Sequence, residues 1–168
     1  NVKIKSFSSG KAAFAAMLNE KDIDISMAAE MPVVFNSFKR NDFVIIGAMA
    51  NSDLSMQVVI RQDKGIRRPS DLMGKKIGVT KGSASEFFFY IFLTHRGIVS
   101  YKVEIISIKP PELPKAMADG RLDAICIWEP HISKARKLLG KKALTLPSGG
   151  IHRMSMFLVA KKTFVRNN

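Results

Sequence analysis

The chain has 168 residues, with 27 Lys+Arg against 14 Asp+Glu and a formal net charge of +13. Its 46% hydrophobic and 24% charged residues form an ordinary globular mix, which excludes intrinsic disorder and collagen-like repeats. One cysteine, Cys126, excludes an internal disulfide and a cysteine-based zinc cage, and no apolar run approaches the ~18 residues of a membrane-spanning helix.

Residues 3–7 read as extended, and Ser8-Ser9-Gly10 opens a helix with Phe14, Met17 and Leu18 on one face. Ile23, Ile25 and Met27 alternate with Asp22, Asp24 and Ser26, the pattern of a half-buried strand. Pro32 fits the first turn of a helix whose Met31, Val34, Phe35 and Phe38 are spaced to form a core face. Phe43–Gly47 is a short apolar run that predicts a strand covered on both faces. Met56–Arg61 is extended, and Lys64-Gly65 with Pro69-Ser70-Asp71 marks a loop. Lys76–Thr80 is a strand, after which Ser83 and Glu86 form a capping box for the Phe87–Leu93 helix, stopped by Gly97. Val103–Ile108 is a strand, Pro114–Asp119 a helix closed at Gly120, and Leu122–Trp128 a buried strand. Pro130 starts a helix that Gly140 ends, and Met154–Ala160 is a last strand. Short strands alternating with helices of about ten residues predict an α/β fold with a largely parallel sheet.

The two halves match at an offset of 99 residues: Ile4 falls on Val103, Leu18 on Met117, Ile23 on Leu122, Asp24 on Asp123 and Glu30 on Glu129. Matching residues in matching element order predict two similar lobes. The strand and helix at 76–97 have no counterpart in the first half, so the first lobe is expected to lack its opening β-α unit. Asn1 is not an initiator methionine and no secretory or lipid-attachment signal follows it. The chain is therefore expected to begin inside a longer gene product.

A pI near 10.1 suits an anionic partner. The cations, however, scatter from Lys3 to Arg166, no basic run alternates with aromatics, and no RRM, KH or zinc-finger pattern is present. A solvated basic surface is the expectation, and nucleic acid is not expected as a partner.

Several segments together carry a family likeness: F-S-S-G (7–10), D-I-D-I (22–25), E-M-P (30–32), V-I-R-Q-D-K-G-I (59–66), D-L-M-G-K-K-I-G-V-T-K-G-S (71–83), D-G-R-L-D-A (119–124) and W-E-P (128–130). This succession resembles the nitrate/sulfonate/taurine-type solute-binding proteins of ABC importers, whose thiamine-precursor-binding relatives share it. The resemblance implies a two-lobed, type II periplasmic-binding-protein-like α/β fold. Lobe one would comprise residues 1–55, with 161–168 heading back to it, and lobe two residues 56–160. It further implies a periplasmic or cell-surface protein without a cofactor, closing on a small ligand and delivering it to a membrane permease. Two other uses of the fold stay open: an enzyme of pyrimidine or quinone-precursor biosynthesis, and the sensing domain of a receptor or regulator.

Gly82-Ser83-Ala84-Ser85 follows a strand and opens a helix, where unpaired backbone N–H groups and the helix dipole favour an anion. Simple capping by Ser83 explains the same residues, and no G-x-x-x-x-G-K-[ST] phosphate loop is present. Ser8, Ser9 and Gly10 form the equivalent helix start in the first half, with an N-cap as the plainer role. Glu30 and Glu129 follow strands at the C-terminal ends, where parallel sheets bind ligands, yet no His or Cys stands beside them in sequence for acid–base chemistry. Trp128 either walls the ligand cleft, as the resemblance implies, or packs in the core. Cys126 lies within an apolar strand as an inert thiol. His95, His131 and His152 show no metal-ligand spacing, though His152-Arg153 follows a glycine-rich stretch that could bring it to the ligand. The ligand is expected to be anionic: a sulfonate, nitrate-like or carboxylate group.

Overall fold

In a computed structural model, which describes residues 2–168, contacts divide the chain into two compact units. The first comprises residues up to Ser52, Gly82–Ala84 and Met154–Asn168, and the second Asp53–Lys81 and Ser85–Arg153. The expected division ran the second lobe through residue 160; contacts group the last strand with the first unit instead.

In the first unit, α1 (Gly10–Asn19) leads to β1 (Ile25–Ala29), α2 (Glu30–Ser37) and β2 (Phe43–Ser52), and the unit closes with β8 (Met154–Lys161) and α6 (Lys162–Asn167). Its sheet has the order β1-β8-β2, and β8 is antiparallel to both neighbours. Ser9 caps α1, its Oγ accepting from the Ala12 N–H at 3.1 Å. Behind the sheet, Phe14, Met17, Ala28, Val33, Phe43 and Val159 form the core, with the Phe14 and Phe43 rings edge-on at 5.1 Å.

The second unit runs β3 (Met56–Arg61), β4 (Lys76–Val79), α3 (Ala84–His95), β5 (Glu104–Ser107), α4 (Leu113–Ala118), β6 (Ala124–Trp128), α5 (His131–Leu139) and β7 (Ala143–Leu146). The sheet order is β5-β4-β6-β3-β7; β4 is parallel to β5 and β6, and β3 is antiparallel to β6 and β7. Val59, Leu113, Met117, Leu122, Ile125 and Ile132 anchor the core on the α4–α5 side. Phe88, Phe89, Phe92 and Leu93 of α3 are all buried, as the apolar run predicts. At Gly78 the α4 side approaches the sheet so closely that a Cβ would stand 2.5 Å from methyls of Leu113 and Leu122.

The repeat is present at the level of hydrogen-bond register. Ile25 of β1 pairs with Ala160, and Ala124 of β6, 99 residues later, pairs with Ile60. Phe43 pairs with Lys161, and Ala143 with Arg61. The correspondence extends to side chains. Arg61 Nη1 donates to the carbonyl of Met117 at the end of α4 at 3.0 Å; Lys161 Nζ donates to the carbonyl of Glu20 after α1 at 2.6 Å. Each cation thus sits at the negative end of a helix. Backbone N–H groups of the same two residues donate to Asp123 and Asp24 carbonyls, both at 3.0 Å.

Four expectations are corrected. Residues 3–7 join no strand. The sheet of the first unit is antiparallel throughout, because its counterparts of the parallel strands β4 and β5 are not formed among the described residues. β2 is ten residues long and largely exposed, not a short strand covered on both faces, since apolar composition marks a strand without fixing what covers it. In α2 the buried residues are Met31, Pro32 and Val33, while Val34, Phe35 and, just past the helix end, Phe38 are exposed. That helix is two turns long and is buried at its start, where it leaves β1, so its apolar periodicity does not mark a packed face.

Candidate functional site

The sequence-derived candidates fall into three local groups. In the first unit, Ser9 and Gly10 form the start of α1, with Ser8 exposed just ahead of them. Gly10 is required by close approach: a Cβ there would stand 3.3 Å from both the Ala28 Cα and the Met27 carbonyl oxygen. The helix start is therefore pressed against β1. Glu30, first residue of α2, accepts from the Ser155 N–H at 2.8 Å and ties the helix to β8.

Gly82, Ser83 and Ala84 also group with the first unit. Gly82 has φ +67°, the left-handed conformation that lets the chain turn from β4 into α3. Ser83 and Ala84 are buried, and α3 begins at Ala84. A Cβ at Gly82 would lie 2.9 Å from Lys11 Nζ. Lys11, in the first turn of α1, thus brings a cation to the glycine turn. Sequence reasoning missed it, because no local pattern links residue 11 to residue 82. A helix start and an ammonium group each favour an anionic oxygen rather than nucleophilic chemistry.

In the second unit, Ser85 is fully buried and its Oγ accepts from the Thr80 N–H at 3.2 Å, bracing the turn from within. Glu129 accepts from Ser133 twice, from the backbone N–H and from Oγ, both at 3.0 Å. Its carboxylate therefore satisfies the N-terminal turn of α5. Trp128 is half-buried against the α4–α5 core and meets His131 edge-on at 6.1 Å. Core packing and an aromatic contact thus hold it at the strand end. His152 packs edge-on against Phe87 at 5.5 Å.

Cys126 is fully buried, and burial pushes its thiol well above the ordinary range, so it supplies no thiolate. Burial holds His131 below its ordinary value, with Lys134 adding to the effect and Glu129 opposing it. Among the described residues, no group of three or more His, Cys, Asp or Glu is placed to hold a metal ion.

The chain is similar to known proteins along most of its length. The family described as "NMT1/THI5 like" matches residues 1–168. A Bacillus subtilis (strain 168) protein assigned to aliphatic sulfonate binding is 34% identical over 143 residues, covering 85% of this chain and 43% of its own length. The taurine-binding periplasmic protein of Escherichia coli (strain K12) is 27% identical over 136 residues, 79% of this chain and 41% of its own. Among solved structures, the alkanesulfonate-binding protein SsuA from Xanthomonas axonopodis pv. citri bound to MOPS superposes with a TM-score of 0.81 at 25% identity, covering 96% of this chain and 55% of that one. The chain thus spans about half the length of the relatives it matches. With two sheet-bearing α/β units of periplasmic-binding-protein type and a match along its whole length, the chain belongs to the NMT1/THI5-like family.

Proposed function

We propose that the protein is the solute-binding component of an ABC importer, acting outside the cytoplasm and delivering a small anion, of the sulfonate, nitrate or taurine kind, to a membrane permease. The observation that carries this reading is the glycine turn at Gly82-Ser83-Ala84-Ser85, opening α3 beside Lys11. N–H groups at a helix start attract negative charge, and an ammonium group adds a charge-assisted donor. The relatives named for sulfonate and taurine binding support the same ligand class. Ser8, Ser9 and Gly10 are proposed as a second anion-facing helix start, with Trp128 as an apolar wall; Glu30 and Glu129 brace the elements that carry them. Binding proceeds without catalysis, and the ligand acts by favouring a closed arrangement over an open one.

The finer architecture is part of the same proposal: among the described residues, the first unit holds no β-α unit equivalent to β4–α3. The register of the repeat supports it, since β1 and β6 match in their antiparallel partners while only β6 has a parallel partner.

Calorimetric titration of the complete protein with an alkanesulfonate and with an uncharged analogue tests the reading. The anion is expected to bind and the analogue not. Ser83→Ala with Ser85→Ala should weaken the anion at least tenfold, about 1.4 kcal/mol, and Lys11→Ala should weaken it further. Unchanged affinity in all variants, or tight binding of neutral or cationic compounds alone, rejects the anion assignment.

A further inference from the structure

We propose that the end of the second unit's sheet at which β4, β5 and β6 begin is a docking face for an anionic lipid bilayer. This goes beyond the solute reading and does not rest on it.

Strand register brings all five strands of the sheet to that end. Lys76 of β4 pairs with Glu104 of β5, and Ile77 with Ala124 of β6. Ile60 of β3 also pairs with Ala124, and Arg61 with Ala143 of β7. The turns leading into the strands, residues 62–75, 98–103, 119–123 and 140–142, therefore lie at one end. Hydrogen bonds tie several of them together. Gln62 Nε2 donates to the Lys141 carbonyl at 3.3 Å, Lys75 Nζ to the Lys64 carbonyl at 3.1 Å, and the Gly74 N–H to the Lys102 carbonyl at 2.7 Å.

These turns hold eight Lys/Arg against four Asp. Lys64, Arg67, Arg68, Lys102, Lys141 and Lys142 are all exposed. The four carboxylates are already engaged. Asp63 accepts from Arg61 at 2.6 Å and Asp119 from Lys115 at 2.8 Å, while Asp71 and Asp123 accept from the backbone N–H groups of Arg67 and Lys76. At the opposite end, residues 53–55, 80–81, 108–112, 129–130 and 147–153 carry three Lys/Arg and three Asp/Glu. The excess positive charge is thus gathered at one end of the sheet.

Apolar side chains stand among these cations. Met73 and Val99 are each 46% exposed, and Tyr101 is 82% exposed. Two adjoining turns hold them: Met73 precedes the Gly74 N–H that bonds Lys102, and the Lys102 N–H donates to the Val99 carbonyl at 3.0 Å. Cations at helix ends have a plainer use, and Arg61 shows it by donating to the Met117 carbonyl of α4. That use gives no reason for an exposed tyrosine, methionine and valine beside them. An anionic bilayer accounts for both features. Its headgroups take the Lys and Arg ends, and the apolar groups enter the headgroup–acyl boundary, where a tyrosine ring keeps its hydroxyl in water. A nucleic acid or an acidic protein surface meets the charge but offers Met73 and Val99 no apolar layer.

The test is co-sedimentation of the full chain with vesicles of phosphatidylcholine, alone or with about one-third phosphatidylglycerol. Binding is expected to be at least about tenfold tighter to the anionic vesicles and to weaken as salt rises. Lys64→Glu with Lys102→Glu and Lys141→Glu should remove about tenfold of that affinity. Lys3→Glu with Lys39→Glu and Arg166→Glu changes net charge equally from exposed sites of the first unit, and should leave binding within about twofold. Met73→Ser with Tyr101→Ser keeps every charge and should weaken binding about threefold or more, most visibly at high salt. Equal losses in the two triple variants overturn the proposal, because net charge and not this face would then be responsible. Equal binding to both vesicle types overturns it, as does binding indifferent to the loss of Met73 and Tyr101. Displacement of the vesicles by a single-stranded oligonucleotide that binds more tightly assigns the face to nucleic acid and also overturns it.

Discussion

β1 and β6 are the same strand built twice, and they end in different surroundings. Both are five residues long, both start beside an aspartate, and both pair antiparallel with strands in matching register. Yet β6 is buried along four of its five residues, while β1 alternates between exposed and buried. The difference lies beyond the strands themselves. β6 has β4 on its other side and β1 does not. The two strands share their antiparallel register, but their burial depends on an element elsewhere in the chain.

The largest effect that separates the two strands is expected at Ile125 and its counterpart Ser26. Ile125→Ser empties part of a packed core and buries a hydroxyl, and should cost the second unit about 3–5 kcal/mol in denaturant unfolding. Ser26→Ala removes a hydroxyl that has no partner and should leave the first unit unchanged or stabilise it by up to about 1 kcal/mol. Equal losses at both positions would break the comparison.

The crossing-strand cations should differ less. Arg61 is 8% exposed, donates to the Met117 carbonyl and pairs through Nε and Nη2 with Asp63 at 3.0 and 2.6 Å. Arg61→Met leaves the carbonyl and carboxylate without their donor and should cost about 1–3 kcal/mol. Lys161 makes the corresponding helix-end contact from a more exposed position, so Lys161→Met should cost about 1 kcal/mol or less. Parallel melts of the two variants check the order.

The repeat was legible in sequence, because the D-I-D and L-D-A segments and the following glutamates carry it directly; its antiparallel partners were not, since alternating strands and helices were read as a largely parallel sheet. The helix of 84–95 was legible from its unbroken apolar run and capping residues. β7 was not, since four residues ahead of Pro147 with a single buried side chain leave little pattern. Nor was the exposure of β2, of Phe35 in α2 or of Phe38 just past it, because hydrophobicity reports what a residue can bury and not what arrives to cover it. At the candidate site, Gly10, Gly82 and Ser83 were singled out from turn and capping chemistry. Lys11 escaped because its importance depends on a neighbour more than seventy residues away. Glu30 and Glu129 were read as ligand-facing carboxylates; each also accepts a backbone N–H, a contact that spacing alone does not reveal.

The smallest expected difference is in acid. His131 is held low by burial, so between its ordinary value of 6.5 and its lower folded value the unfolded chain binds the proton that the folded chain resists. Stability of the second unit should therefore begin to decline as pH falls below about 6.5 and decline further through that window. His131→Gln should remove this component. Asp63 then follows at lower pH: hydrogen bonding to Arg61 holds its carboxyl below 3.8, so its contribution is present above that value and lost as pH falls through the folded pKa. The first unit contains no histidine, so its stability should stay flat across the first of these windows.

The functional reading is tested most directly by residue-resolved hydrogen exchange of the complete protein with and without a saturating alkanesulfonate. The account predicts that amides of Gly82–Ser85 slow more than any in β4, and that Lys11→Ala reduces the slowing. Binding that leaves those amides unchanged while slowing others would contradict it, because the anion would then be held somewhere other than at the start of α3.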